Sequence, residues 1–494
     1  MPESFVLSID QGTTGSRAIL YTRAGLPKSS AYQEFKQYYP KPGWVEHDAH
    51  EILRSVKQVI SAVLKKSGIR PTQIQSIGIT NQRETVVLWN RASGEAVAKS
   101  VVWQDRRTSD LCSQLKKRGL ESEFSQKTGL LLDPYFSGTK LSWFFDHHPS
   151  IRKKAQAGKV LFGTIDSWLL YHLTGKKNHA TDLTNASRTL LFDIKKKKWD
   201  PRLAQILKTP LACIPEVKSS NSLFGKTRNF SPLPDGIPIH AIMGDQQAAL
   251  YGQSCYKAGD SKNTYGTGCF LLVNSGSYFV RSKFGLLTTL ACDRDGNPVY
   301  ALEGSIFIGG AAIQWLRDGL KIIKKASDTE AIAKKAASHD EVVVIPAFTG
   351  LGAPYWRPEV RGAILGITRG TTREMIIKAT VDSIALQVSD VLEVMIKESG
   401  VQIRALKVDG GATQNRYLMQ LQSDLLRVPV LKSDLTESTA WGVAKLAGHA
   451  SGFWPNLEQL DSSVQYETFR PKMKLSNRNQ VLKRWKQAIQ TLIS

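Results

Sequence analysis

Cysteine is scarce in this chain, and paired cysteine motifs are missing. Five residues, Cys112, Cys213, Cys255, Cys269 and Cys292, are scattered over 494 positions. Their number is odd and no C-x-x-C pair occurs, so neither a disulfide framework nor a cysteine-held metal is expected. The thiols read as reduced and mostly buried. No apolar run is long enough to span a bilayer. The opening Met1-Pro2-Glu3-Ser4 shows no basic segment leading into a long apolar stretch, so no secretory leader is expected there. Short-period repeats and low-complexity tracts are absent too, which excludes a solenoid. A cytoplasmic globular protein is the expected class, and a chain of this length should form two or three domains.

Acidic residues are outnumbered: 43 Asp+Glu stand against 66 Lys+Arg, a formal net charge of +23. The lysines fall in short runs such as Lys65-Lys66, Lys153-Lys154, Lys195–Lys198 and Lys324-Lys325, without interleaved aromatics or a nucleic-acid motif. They read as solvated faces, and no nucleic-acid partner is expected. The excess would instead raise encounter rates with anionic substrates.

What is present is a set of three glycine turns: Asp10-Gln11-Gly12-Thr13-Thr14-Gly15, Tyr265-Gly266-Thr267-Gly268 and Asp409-Gly410-Gly411-Ala412. Each follows a β-prone stretch. Glycine lets the backbone approach an anion closely, and successive N–H groups with threonine hydroxyls make a phosphate cradle. One such turn is weak evidence. Three, with aspartates in the first and last, predict an α/β protein of two actin/hexokinase-like (ribonuclease H-like) lobes with the active site in the cleft between them.

Between the turns, strand and helix patterns alternate. A helix is expected over Ala49–Lys66, opened by an Asp48/Glu51 capping box and stopped by Gly68. Ile74–Ile79 reads as a buried strand with Thr85–Trp89 as its neighbour and Asn81–Glu84 as the turn between them. Pro210–Pro238 reads as connecting structure. Further on, a strand is expected at Ile237–Met243 and a long amphipathic helix at Thr372–Ser399. The strand Ala405–Val408 and the helix Arg416–Leu426 follow. The likeness of Ile9–Thr14 to Val408–Thr413 hints at a duplication, one copy per lobe.

Phosphoryl transfer needs positioned phosphates, a divalent cation and a base for the acceptor hydroxyl. Asp10, at the mouth of the first turn, suits Mg²⁺ held through water. Asp245, in Gly244-Asp245-Gln246-Gln247 after a strand, is the better candidate base. Both sit where open α/β sheets bind ligands. The turn Asn81-Gln82-Arg83-Glu84 is rich in donors and acceptors for a polyol, whose hydroxyls each want one of both.

The sequence resembles the glycerol kinases of the FGGY carbohydrate kinase family over essentially its whole length. The resemblance rests on SIDQGTTGSR (Ser8–Arg17), GITNQRET (Gly78–Thr85), VWQDRRT (Val102–Thr108), DPYFSGTKLSW (Asp133–Trp143) and TDLTNASRTLLF (Thr181–Phe192). It continues through GDQQAALYGQ (Gly244–Gln253), KNTYGTGCF (Lys262–Phe270), ALEGSIFIGGAAIQWLRD (Ala301–Asp318) and VDGGATQN (Val408–Asn415). It implies an N-terminal lobe over 1–252 and a C-terminal lobe over 253–494. Glycerol would lie on Arg83, Glu84, Tyr135 and Asp245, assisted by Gln246, with Trp103 and Phe270 as an apolar wall for its C–H edge. ATP or ADP would be held by Thr13, Thr14, Gly15 and Arg17 from the first lobe and by Thr267, Gly310, Gln314, Gly411 and Asn415 from the second. Asp245 would be the catalytic base and Asp10 the metal site. The resemblance also implies a homo-oligomer, a dimer or tetramer. A sister kinase acting on a pentulose, or a non-catalytic actin-like ATP-binding module, are the alternatives.

Overall fold

The computed structural model describes residues 3–336, 341–357, 359–435 and 437–494. Met1 and Pro2, part of the segment read for a leader, lie outside them. The chain divides into two units, the first comprising Met1–Tyr256, Thr288–Tyr300 and Glu437–Ser463. The second comprises Lys257–Leu287, Ala301–Thr436 and Val464–Ser494. Two late segments thus join the unit that the boundary at 252/253 would close.

The first unit is built on a six-stranded sheet in the order Gly225–Lys226, Pro238–Gly244, Ile74–Asn81, Phe5–Gln11, Gly15–Tyr21 and Pro27–Glu34. Phe5, Val6, Leu7 and Ile9 are all buried, the near-continuous apolar run of a strand covered on both faces. Phe5–Gln11 is antiparallel to Gly15–Tyr21 and parallel to Ile74–Asn81, which in turn runs parallel to Pro238–Gly244. Three carboxyl ends, at Gln11, Asn81 and Gly244, therefore fall side by side. Thr85–Trp89 is not the neighbour of this central strand. Val87–Asn90 pairs instead with Val160–Gly163, whose apolar run Val160-Leu161-Phe162 buries with it.

The helix Ala49–Ser67 is capped by Asp48, whose carboxylate accepts the N–H groups of His50 and Glu51, and ends at Gly68 with φ 67°. Only half of the expected capping box forms. The Glu51 carboxylate takes the Tyr38 hydroxyl at 2.7 Å instead of reaching back to the cap. Ile52, Val56, Val59, Ile60 and Val63 bury one stripe of it in the same core as Leu7, Ile9 and Ile77. The late helix Ser438–Ala450 packs on Phe5–Gln11, Ile74–Asn81 and Pro238–Gly244 and against the helix Asp245–Gly252. The Pro-rich stretch is not merely connecting. It holds the strand Glu216–Lys218, parallel to Ala180–Asp182, and Gly225–Lys226 at the sheet edge.

In the second unit Ser261–Tyr265 is antiparallel to Cys269–Gly276 and parallel to Leu406–Asp409, which runs parallel to Val430–Ser433. The helix Arg373–Ser399, capped by Thr372 and ended by Gly400, buries Ile377, Val381, Ile384, Val388, Val391 and Met395 in this unit's core. These four strands pair in the same pattern as Gly15–Tyr21, Phe5–Gln11, Ile74–Asn81 and Pro238–Gly244 of the first unit, so the internal likeness holds with a corrected alignment. Phe5–Gln11 corresponds to Ser261–Tyr265, and Leu406–Asp409 corresponds to Ile74–Asn81. The likeness of the two Asp-Gly turns is local, whereas strand pairing sets the equivalence. Among the described residues no helix is long and apolar enough to cross a membrane, and all five cysteines are buried.

Candidate active site

The three strand ends of the first unit carry the chemistry. Asp10 is the next-to-last residue of the first strand, opposite Thr80 of the second. Its carboxyl is pushed up to about 7, mainly by burial, then by the nearby Asp245 charge, with Arg17 opposing. Asp245 opens the helix Asp245–Gly252 directly after the third strand, and its Oδ1 accepts the N–H of half-buried Gln246 at 2.7 Å.

Arg83 is the hub of the site, 2% exposed. Its Nε lies 3.1 Å from Asp245 Oδ1, while Nη1 donates to Gln247 Oε1 at 3.2 Å and Nη2 to the Tyr135 hydroxyl at 3.5 Å. Gly244 makes room for it. A Cβ there would stand 2.7 Å from Arg83 Cδ and 2.8 Å from its Cγ. Glu84 is buried beside Arg83 in a left-handed conformation, φ 64°, which a non-glycine residue adopts at a cost. Such strain persists where the surroundings hold it. The Glu84 carbonyl accepts Ser137 Oγ at 3.0 Å, and its carboxylate accepts Arg188 Nε at 2.6 Å.

Tyr135 is held from several sides. Its N–H donates to Asp133 Oδ1 at 2.9 Å. The carbonyls of Pro134, Tyr135 and Phe136 converge on the buried Lys140 ammonium at 2.7, 2.6 and 3.2 Å. Burial lowers Lys140 to about 8, against the opposing pull of Glu84, Asp105 and Asp133. The ring of Trp103 meets that of Tyr135 edge to face at 5.5 Å, and its indole N–H donates to Thr13 Oγ1 at 2.9 Å. The polyol and phosphate candidates of this unit are thus tied directly together. Phe270 lies half-buried on Cys269–Gly276 of the second unit.

In the first glycine turn the Gly12 N–H donates to the Gly15 carbonyl at 2.9 Å. Thr14 Oγ1 meets the Tyr32 hydroxyl at 3.2 Å. Arg17 pairs with Glu437 and lies over the Tyr32 ring, 5.3 Å from its centroid. Among the described residues no group of three or more His, Cys, Asp or Glu could hold a metal. Two mutually repelling carboxylates, Asp10 and Asp245, do fit magnesium, which keeps most of its waters and needs one or two carboxylates besides substrate phosphates.

The second unit holds a cavity of about 410 Å³. Thr267, Gly310, Gln314, Gly411 and Asn415, the five nucleotide residues expected from this half, all line it. The Gly266–Gly268 turn is stitched to the start of the helix Gly310–Gln314. Gly309 N–H donates to the Thr267 carbonyl at 2.8 Å and Gly310 N–H to that of Gly266 at 2.9 Å. Gly410, at φ 92°, lets its own turn pass the Tyr265 backbone, where a Cβ would meet a carbonyl oxygen at 2.4 Å. Asn415 Oδ1 caps the helix Arg416–Leu426 and its Nδ2 donates to Thr329 Oγ1 at 3.1 Å. Ile313, Val381, Ile384 and Leu418 give the cavity an apolar side. Its size and mixed lining suit a nucleoside.

Sequence reasoning did not assign Lys140, Arg188 or Gln247 to the site. All three stand in motifs quoted above, and for Lys140 and Arg188 the available signal was a lone basic residue in a run of small, hydroxyl-bearing and apolar ones.

Two α/β units, one with a buried Arg-Glu-Tyr-Asp constellation at its strand ends and one with a glycine-walled cavity, define a two-domain phosphotransferase. The chain belongs to the FGGY family of carbohydrate kinases: residues 5–252 match the family's N-terminal domain and 261–451 its C-terminal domain. It is 50% identical over 493 residues to a glycerol kinase of Geobacillus sp. (strain WCH70), covering 100% of this chain and 99% of that one. It is 49% identical over 493 residues to a glycerol kinase of Bacillus subtilis (strain 168), with 100% and 99% covered. Among solved structures, Plasmodium falciparum glycerol kinase with ADP is similar at a TM-score of 0.94 and 35% identity, over 100% of this chain and 99% of that one.

Proposed function

We propose that this kinase transfers the γ-phosphoryl group of ATP to a terminal hydroxyl of glycerol, giving sn-glycerol 3-phosphate and ADP, in glycerol uptake and catabolism in the cytoplasm. The observation that carries the reading is the Arg83 guanidinium spanning Asp245, Gln247 and Tyr135 with Glu84 beside it. Within a few ångströms it collects the donors and acceptors that three adjacent hydroxyls require. The half-identical relatives named glycerol kinase support the same substrate.

In this reading the hydroxyls are held by Arg83, Glu84, Tyr135, Asp245 and Gln246, while Trp103 and Phe270 face the C–H edge. The attacking hydroxyl gives its proton to the Asp245 carboxylate as its oxygen bonds to the γ-phosphorus and the bond to the ADP oxygen breaks. Thr13, Thr14, Gly15 and Arg17 hold phosphates. Thr267, Gly310, Gln314, Gly411 and Asn415 hold the rest of the nucleotide. Asp10 would hold Mg²⁺, which neutralises phosphate charge. The test is ADP release with ATP and glycerol, xylulose, ribulose or gluconate, followed by chiral analysis of the product. Glycerol alone should be turned over well. Preference for a sugar, or formation of sn-glycerol 1-phosphate, would overturn the reading.

A further inference from the structure

The Glu84 carboxyl is almost wholly buried, and a buried carboxylate needs a counter-ion at close range. Two guanidinium groups flank it. Arg83 Nε is 3.9 Å from Glu84 Oε1, but the same nitrogen lies 3.1 Å from Asp245. Arg188 is nearer, with Nε 2.6 Å from Glu84 Oε1. We infer that Arg188 is a positioning residue of the polyol site: by neutralising Glu84 it leaves Arg83 to Asp245 and Tyr135.

Its placement is built rather than incidental. Arg188 is fully buried, and its guanidinium lies over the rings of Tyr135 and Phe136, 5.4 and 5.2 Å from their centroids. With its ion pair to Glu84 and its stacking on Tyr135, it braces two of the expected polyol contacts at once. The segment that carries it is locked to the strand end that carries Arg83. Asn81 Nδ2 donates to Asn185 Oδ1 at 3.0 Å, and Asn185 Nδ2 donates back to Asn81 Oδ1 at 3.1 Å. Asp182 caps the turn from the other side, and Arg188 N–H donates to the Asn185 carbonyl at 3.0 Å. Without the Arg188 charge, the Glu84 carboxylate turns toward Arg83 and draws it away from Asp245. Hydroxyl binding is then lost through misplacement, although Arg188 itself need not touch the substrate.

This inference rests on the polyol site proposed above, and the experiment separates the two. Arg188→Met keeps apolar bulk against Tyr135 and Phe136 but removes the charge. It should raise KM for glycerol by roughly 10- to 100-fold and leave KM for ATP within about twofold. In a Glu84→Gln background the same change should add less than about twofold, because the charge it serves is already gone. Arg188→Lys keeps a charge but not the planar donor or the ring stacking, and should fall between wild type and Arg188→Met. Wild-type KM in Arg188→Met, equal changes for glycerol and ATP, or effects that multiply with Glu84→Gln would each overturn the inference. If Arg188→Met does not fold, Arg188→Lys with and without Glu84→Gln carries the same comparison. If the wild-type enzyme prefers another polyol, the proposed substrate fails and the ratios are read with the preferred one.

Discussion

Arg83 Nε stands 3.1 Å from Asp245 Oδ1 on a guanidinium that is almost wholly buried. A carboxylate expected to accept a proton is thereby oriented by a cation that cannot itself serve as a base. Asp245→Asn keeps the size and part of the hydrogen bonding but not the basicity. We expect kcat to fall by about 10²–10⁴ with ATP affinity nearly unchanged. Steady-state kinetics and nucleotide titration of the folded variant check this, and near-normal turnover would remove Asp245 from the role.

Gly244 is the packing partner of that arrangement. An alanine Cβ would fall 2.7 Å from Arg83 Cδ, so the guanidinium must move or the backbone must shift. Gly244→Ala should cost about 1–3 kcal/mol of stability and lower kcat/KM for glycerol by at least about tenfold. Parallel melting and kinetic measurements decide it. Unchanged kcat/KM would show that Arg83 does not need its present path.

Asn415 has two tasks in the second unit, capping Arg416–Leu426 and lining the cavity. Asn415→Ala should lose about 1 kcal/mol from the cap. The lost polar contact should raise KM for ATP by roughly tenfold without changing that for glycerol. A variant that changes only the glycerol KM would contradict the assignment of this cavity to the nucleotide.

Mild acid should act on the first unit in two opposed ways: Asp10 and Asp166, raised to about 7 by burial, stabilise the fold as they take up protons, whereas its buried histidines destabilise it. Burial lowers His47, His172 and His179 from 6.5 to about 4. His47 Nε2 meets Gln37 Oε1 at 2.5 Å, and its Nδ1 meets Gln82 Nε2 at 3.4 Å. Between those pH values the unfolded chain binds these protons and the folded chain does not. Stability from this source is full above 6.5 and falls as pH drops toward 4, by about 1.4 kcal/mol per pH unit for each proton. Denaturant unfolding across this range should give a slope smaller by one proton in His47→Gln. Equal slopes would show that His47 is not held neutral.

Much of the architecture was legible locally. Apolar runs marked Phe5–Gln11 and Ile74–Asn81, Asp48 with Gly68 bounded one helix, and Thr372 with Gly400 bounded another. Caps, glycine turns and hydrophobic periodicity act over a few residues, so the sequence carries them directly. Of the five expected nucleotide residues of the second unit that line the cavity, Thr267 and Gly411 stand in glycine turns visible in the chain, whereas Gly310, Gln314 and Asn415 were expected only from the family resemblance.

Partners distant in sequence were decided only by the tertiary structure. Val87–Asn90 pairs with Val160–Gly163 and not with the strand just before it, and Phe5–Gln11 finds its counterpart in Ser261–Tyr265 and not beside Asp409. Glu84 obtains its counter-ion from Arg188, 104 positions away, and the helix Ser438–Ala450 completes the first unit's core from near the end of the chain. Strand propensity says that a segment will pair but not with which partner, because the choice depends on the packing of both sheet faces. A buried carboxylate likewise needs a nearby cation, but only the folded chain brings that cation within 2.6 Å.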